Sequence, residues 1–256
     1  MDPEHGRRVD TSGGVFRAKL VAEELELASP MEASIEAIAY LRKAIVRVAR
    51  MEGSLARLVK ANGRALITVS DKLSHEQRRF AVAHELGHHE LHGEKDSLAL
   101  CTGLDLQARN KSLEGEANAF AVELLMPSRL LQKRFEIATP SLEHASRLAS
   151  EYQVSFTAAA LRFVELSSLA CALVRCEGSK VVWCIKGKEF RGFLRHGSAV
   201  EQASLAYEFF AGKPIPKAPE EVSPESWIAG RTRSRLIEHS MVAAGGTLSL
   251  LWQPAS

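Results

Sequence analysis

The chain has 256 residues, 25% of them charged and 46% hydrophobic, enough for one large domain or a few small ones with a real core. Lys+Arg number 33 against 31 Asp+Glu, a net charge of +2 that makes no electrostatic case for wrapping nucleic acid or lying on an anionic membrane. No apolar run approaches the roughly 20 residues that span a bilayer. The opening MDPEHGRRVDTSGG lacks the apolar segment of a secretory signal, and Cys101, Cys171, Cys176 and Cys184 form no CxxC pair. The expectation is a cytoplasmic protein with reduced thiols, of mixed α and β structure.

In chain order, residues 1–30 read as a loosely ordered arm with one helix near FRAKLVAEELELA. Ser29-Pro30 followed by apolar residues at helical spacing predicts a helix over 31–44. IVRVARMEG, SLARLVKANG and RALITVSD are short, β-branched and punctuated by Gly53, Gly63 and Ser70, which predicts a small antiparallel meander. SHEQRRFAVAHELGHHELHG predicts a helix with a capping box between Ser74 and Gln77, closed at Gly93. LEGEANAFAVELLMP predicts a second helix ending before Pro127. After Pro140, two helices meet at YQVS; from 170 the pattern turns strand-rich in ACALVRCEG, SKVVWCIKG and TLSLLWQP, divided by a loop around GKPIPKAPEEVSP.

Four of the nine histidines fall between positions 84 and 92. His84-Glu85-Leu86-Gly87-His88 matches H-E-x-x-H on the expected helix, so both imidazoles can converge on one ion while Glu85 stands beside it as a base. A catalytic zinc needs a third protein ligand and one open position. The extended pattern HExxHxxGxxH fails, because Leu91 and Glu94 stand where Gly and His are required. A Glu on the following helix is the other source. On a wheel of about 3.6 residues per turn, Ala117, Phe120, Ala121, Leu124 and Leu125 form one apolar stripe that contains Glu114. Glu116 falls away from it beside Glu123, on the solvated face. The wheel therefore selects Glu114 as ligand, and Asn118, one turn on, as the residue orienting a ligand histidine.

RRFAVAHELGHHELH followed by EGEANAFAVELLMP resembles the ImmA/IrrE family of metallopeptidases over residues 74–130. The resemblance implies a zincin-like core, zinc on His84, His88 and Glu114, Glu85 as general base, and bacterial cytoplasmic enzymes that cleave helix-turn-helix repressors. It also implies a helix-turn-helix-like middle and a GAF-like, β-rich end. The expected division is an arm at 1–30, a metallopeptidase domain at 31–138, a helical region at 139–168 and a mixed α/β domain at 169–256.

His89 reads as a surface residue and His92 as a hydrogen-bonded support for the site. ASRLASEYQVSFTAAALRF has a helix-turn-helix cadence, but its second helix offers three alanines and only Arg162 to read bases, so it is a packing hairpin. Trp183, Trp227 and Trp252 read as core, and Cys171 and Cys176 as buried thiols. The resulting expectation is a zinc endopeptidase acting on a DNA-binding repressor, without direct DNA binding. An N/N/O site would also accept Mn²⁺ or Fe²⁺. The alternative is a zinc-stabilised transcription regulator without turnover. A free strand edge around ALITVS, centred on Ile67, is expected to pair with an extended substrate segment.

Overall fold

The computed structural model of the chain describes residues 11–92, 107–135, 139–230 and 234–254, with only the helical backbone at 107–111. Gly93, expected to close the histidine helix, and Cys101 lie outside the described residues. Two compact units form, Met1–Ser128 and Arg129–Ser256.

In the first unit, the stretch expected as an arm contains helix α1 (Ser12–Glu24), with Ala18 and Val21 buried. Helix α2 (Ile35–Leu41) starts later than the Ser29-Pro30 signal suggested. Residues 29–32 close a turn of their own, and Ser34 caps the helix by accepting the Ala37 N–H. Strands β1 (Ala44–Ala49), β2 (Ala56–Ala61) and β3 (Arg64–Ser70) are in the order β1-β3-β2. The expected antiparallel meander is therefore incorrect: β2 and β3 pair antiparallel, but β1 and β3 pair in parallel. Asn62 and Gly63, both at positive φ, make the tight β2–β3 hairpin. The most buried strand, β3, takes the centre, where both of its edges are paired and Ile67 and Val69 are fully buried. Ile67 consequently marks no free edge; the open edges belong to β1 and β2.

Helix α3 (His75–Leu91) has the expected capping box between Ser74 and Gln77, and lays Val82, Ala83 and Leu86 into the core. Helix α4 (Gln107–Leu125) packs against both α3 and α1. The α3–α4 approach is close at Gly87, where an added Cβ would stand 3.1 Å from the Ala117 backbone and the Phe120 ring. Lys60 on β2 donates from Nζ to the carbonyls of His88 and His92, 2.6 Å each, placing a cation at the negative end of α3.

The second unit opens within the short helix α5 (Ser128–Leu131), which a 3-10 turn, Gln132–Phe135, follows. Helices α6 (Leu142–Tyr152) and α7 (Phe156–Leu166) meet at the expected position, with Gln153 left-handed between them. Strands β4 (Ala170–Glu177), β5 (Lys180–Lys186), β6 (Phe193–Leu194), helix α8 (Leu205–Phe210), and strands β7 (Glu220–Val222), β8 (Ile228–Ala229), β9 (Leu236–Ala243) and β10 (Gly246–Gln253) follow. The main sheet is antiparallel, ordered β5-β4-β10-β9-β7, with β6-β8 as a separate pair. Helix α7 packs on β4 and β5, and α8 on β9 and β10.

Two features of this unit escape the sequence patterns. Strand β9, LIEHSMVA, carries polar residues inward: Glu238 is fully buried and accepts from Leu205 N, Ala206 N, Trp227 Nε1 and Ser240 Oγ at 2.6–3.0 Å. Burial pushes its carboxyl up, while those four donors pull the other way. His239 Nδ1 accepts the Leu142 N–H at 3.0 Å, tying β9 to the start of α6. Of the tryptophans only Trp227 is fully buried, whereas Trp183 and Trp252 are half-buried. Cys171 and Cys176 are buried thiols pushed up to about 12 by burial.

Candidate metal centre

One turn of α3 separates His84 from His88, and helix geometry alone brings their Nε2 atoms to 3.1 Å. Glu114 reaches the same point from α4, with Oε2 3.2 Å from His84 Nε2 and Oε1 3.3 Å from His88 Nε2. Each residue offers one ligand atom, all within 4.8 Å of one another. Two imidazole nitrogens and a carboxylate oxygen converging this closely form a donor set that fits a divalent metal. The close α3–α4 packing at Gly87 is what brings Glu114 within reach.

The electrostatics are those of a cation site. The imidazoles of His84 and then His88, with Nε2 atoms 3.2 and 3.3 Å away, hold the Glu114 carboxyl well below the usual carboxylate range. Burial opposes charge on His84, but Glu114, Glu85 and Asn118 together outweigh it and raise its pKa. Glu85 is mostly shielded from solvent; burial pushes its carboxyl up, against the pull of His84 and His88 and with the push of Glu114.

Around these groups the structure places Asn118 Oδ1 3.0 Å from His84 Nδ1, and His92 Nδ1 2.9 Å from His88 Nδ1. Two sequence readings need correction. Glu116 is not on a solvated face: its side chain is 28% exposed, against 45% for Glu114, and Oε2 lies 3.3 Å from His92 Nε2. The single-stripe wheel failed because α4 is covered on two sides, by α3 and by α1, so even Glu123 is buried and accepts from Ser128 N and Oγ. Nor is His89 a surface residue. It is half-buried, its Nε2 lies 2.9 Å from the Arg42 carbonyl oxygen, and burial lowers its pKa.

Sequence reasoning also missed Glu90. Its buried carboxylate receives Arg17 from α1 and Arg42 from the end of α2, at 2.6–3.0 Å, and these two arginines overcome the effect of burial and lower its pKa. Its partners lie 73 and 48 residues away, a separation at which no local pattern signals them.

Residues 44–164 match the model of the family described as Peptidase M78, IrrE N-terminal-like domain. Among solved structures, a Mycobacterium tuberculosis transcriptional regulator is similar in fold, with a TM-score of 0.64 at 16% identity over 94% of this chain and 76% of that one. No curated protein matches the sequence. The matched segment, a little under half of the chain, holds His84, Glu85, His88 and Glu114 together, and this segment is similar to the IrrE N-terminal-like domain of Peptidase M78.

Proposed function

We propose that the protein is a zinc-dependent endopeptidase, with His84, His88 and Glu114 as the metal ligands and Glu85 as the general base. The observation that carries this reading is the convergence of the two Nε2 atoms and the Glu114 carboxylate beside Glu85. When bound, a divalent metal supplies Lewis-acid polarisation of the scissile carbonyl. Glu85 takes the proton of the attacking water on a carboxylate oxygen and delivers it to the nitrogen of the leaving amine. Burial raises its pKa, which makes the carboxylate the stronger base for the first half of that transfer. Zinc is the metal of choice for an N/N/O set, and Mn²⁺ or Fe²⁺ would also bind it.

The substrate class is a cytoplasmic DNA-binding repressor, presented as an extended segment to one of the open strand edges, β1 or β2. The chain itself reads no DNA through its middle helices. Arg162, the one arginine of α7, is 3% exposed and bonded to Glu165, while Ala159, Ala160, Phe163 and Val164 are buried with it. The β-rich second unit fits a GAF-like sensory end, a reading supported by its single five-stranded antiparallel sheet.

The test is to incubate the pure, zinc-loaded protein with the repressor encoded beside its gene and look for a clipped fragment. Fragment formation that needs Glu85 supports the peptidase. The second reading, a transcription regulator without turnover, is favoured by the name of the similar mycobacterial protein. An intact repressor, together with altered operator binding, would support that reading instead.

A further inference from the structure

We propose that Glu116 and His92 are positioning residues for His88, and that helix α1 seats Glu116, so that metal retention depends on a helix preceding the family-matched segment. The inference rests on the metal-centre reading above. His88 Nδ1 and His92 Nδ1 are 2.9 Å apart, so one must donate a proton and the other accept it. The remaining nitrogen of His92, Nε2, lies 3.3 Å from Glu116 Oε2, and a carboxylate only accepts. The His92 proton therefore sits on Nε2, His92 Nδ1 offers a lone pair, and His88 carries its own proton on Nδ1. That leaves the lone pair of His88 Nε2 directed at the point shared with His84 and Glu114. Without Glu116, His92 is free to hold its proton on Nδ1 and donate to His88, which moves the His88 proton to Nε2 and blocks the ligand position. His84 is fixed in one step by Asn118; His88 needs two.

Helix α1 completes the chain. An added Cβ on Gly13 would lie 3.0 Å from Glu116 Oε1, and one on Gly14 would overlap the Glu116 backbone carbonyl, so the first turn of α1 rests directly on this residue. One turn further on, Arg17 binds Glu90 at 2.6 Å and anchors α1 to the helix that carries the histidines.

Zinc affinity of the full chain, measured by competition with a chromogenic chelator, tests the proposal alongside the absorption spectrum of the Co²⁺-substituted protein. Glu116→Ala should weaken zinc binding about 10–100-fold and change the Co²⁺ bands. Glu116→Gln keeps an acceptor oxygen within reach of His92 and should stay within about threefold of wild type. Gly13→Ala places a methyl group against the carboxylate but favours the helix, so the metal-free protein should melt no lower than wild type while zinc binding falls several-fold. Wild-type affinity and spectrum in both Glu116→Ala and Gly13→Ala would overturn the proposal, as would a Gln variant as weak as the Ala variant. If Glu116→Ala does not fold, Gly13→Ala and Glu116→Gln decide by the same criteria. A wild-type protein that binds no zinc, or a His84→Ala variant that binds it undiminished, would instead overturn the metal-centre reading.

Discussion

Glu85 and Glu114 share one small volume, yet their surroundings treat them oppositely. Burial raises the first, and two imidazoles lower the second. The proposed roles, base for Glu85 and ligand for Glu114, divide accordingly. Glu85→Gln keeps shape and hydrogen bonding but removes the base, so zinc content should persist while peptide hydrolysis falls by about 10²–10⁴-fold; metal analysis and a cleavage assay on the same sample check this. Glu114→Ala leaves two histidines, and zinc affinity should fall by more than the roughly 100-fold upper end for an outer-shell partner, read by equilibrium titration. The spacing of His84, Glu85 and His88 was legible because one helical turn fixes it. Glu114 was selected by an argument whose premise does not hold, since its side chain is more exposed than that of Glu116. What sets the two glutamates apart is which neighbouring helix each one meets, and a wheel drawn for one helix carries no such information.

Among the elements, α3 was legible to within a residue at its start because its cap is local: Ser74 and Gln77 lie three apart and satisfy each other's backbone groups. The sheet was not, because the pairing of β1 with β3 joins residues about 20 apart, Ala44 with Ala65, and nothing local distinguishes a parallel from an antiparallel partner. Strand β9 was lost for a different reason. Glu238, His239 and Ser240 interrupt the apolar alternation that marks a half-buried strand, and the backbone and indole donors that Glu238 and His239 accept from lie 11 to 97 residues away. The α3–α4 contact gives the prediction proper to this scale. Gly87→Ala drives a methyl group to 3.1 Å from the Ala117 backbone, which cannot yield as a side chain can. The cost should be about 1–3 kcal/mol of stability, followed by far-UV circular dichroism in denaturant. Zinc affinity should fall with it, because Glu114 moves with α4.

Across the whole molecule, all three tryptophans lie in the second unit, so their fluorescence follows that unit alone. Its stability should depend on pH through His239. Burial lowers the pKa of this histidine, and its Nδ1 is occupied by the Leu142 N–H. Below its unfolded pKa of about 6.5, the unfolded chain takes up a proton that the folded one refuses. The stability is therefore fully present above that value and declines as pH falls, by at most about 1.4 kcal/mol per pH unit. Tryptophan-monitored denaturation at a series of pH values from 7.5 to 5.5 should show the decline, and His239→Asn, which keeps an acceptor but does not titrate, should flatten it. Glu143 and His144 also act on His239, in opposite senses, so an unchanged slope in the Asn variant would assign the effect to another group. The two buried thiols of β4 have a consequence for the same unit. With Cys171 and Cys176 sealed and pushed up to about 12, an alkylating reagent reaches them only when the sheet opens. Their labelling rates thus act as a clock for excursions out of the native state, and half-buried Cys184 on neighbouring β5 supplies the faster hand.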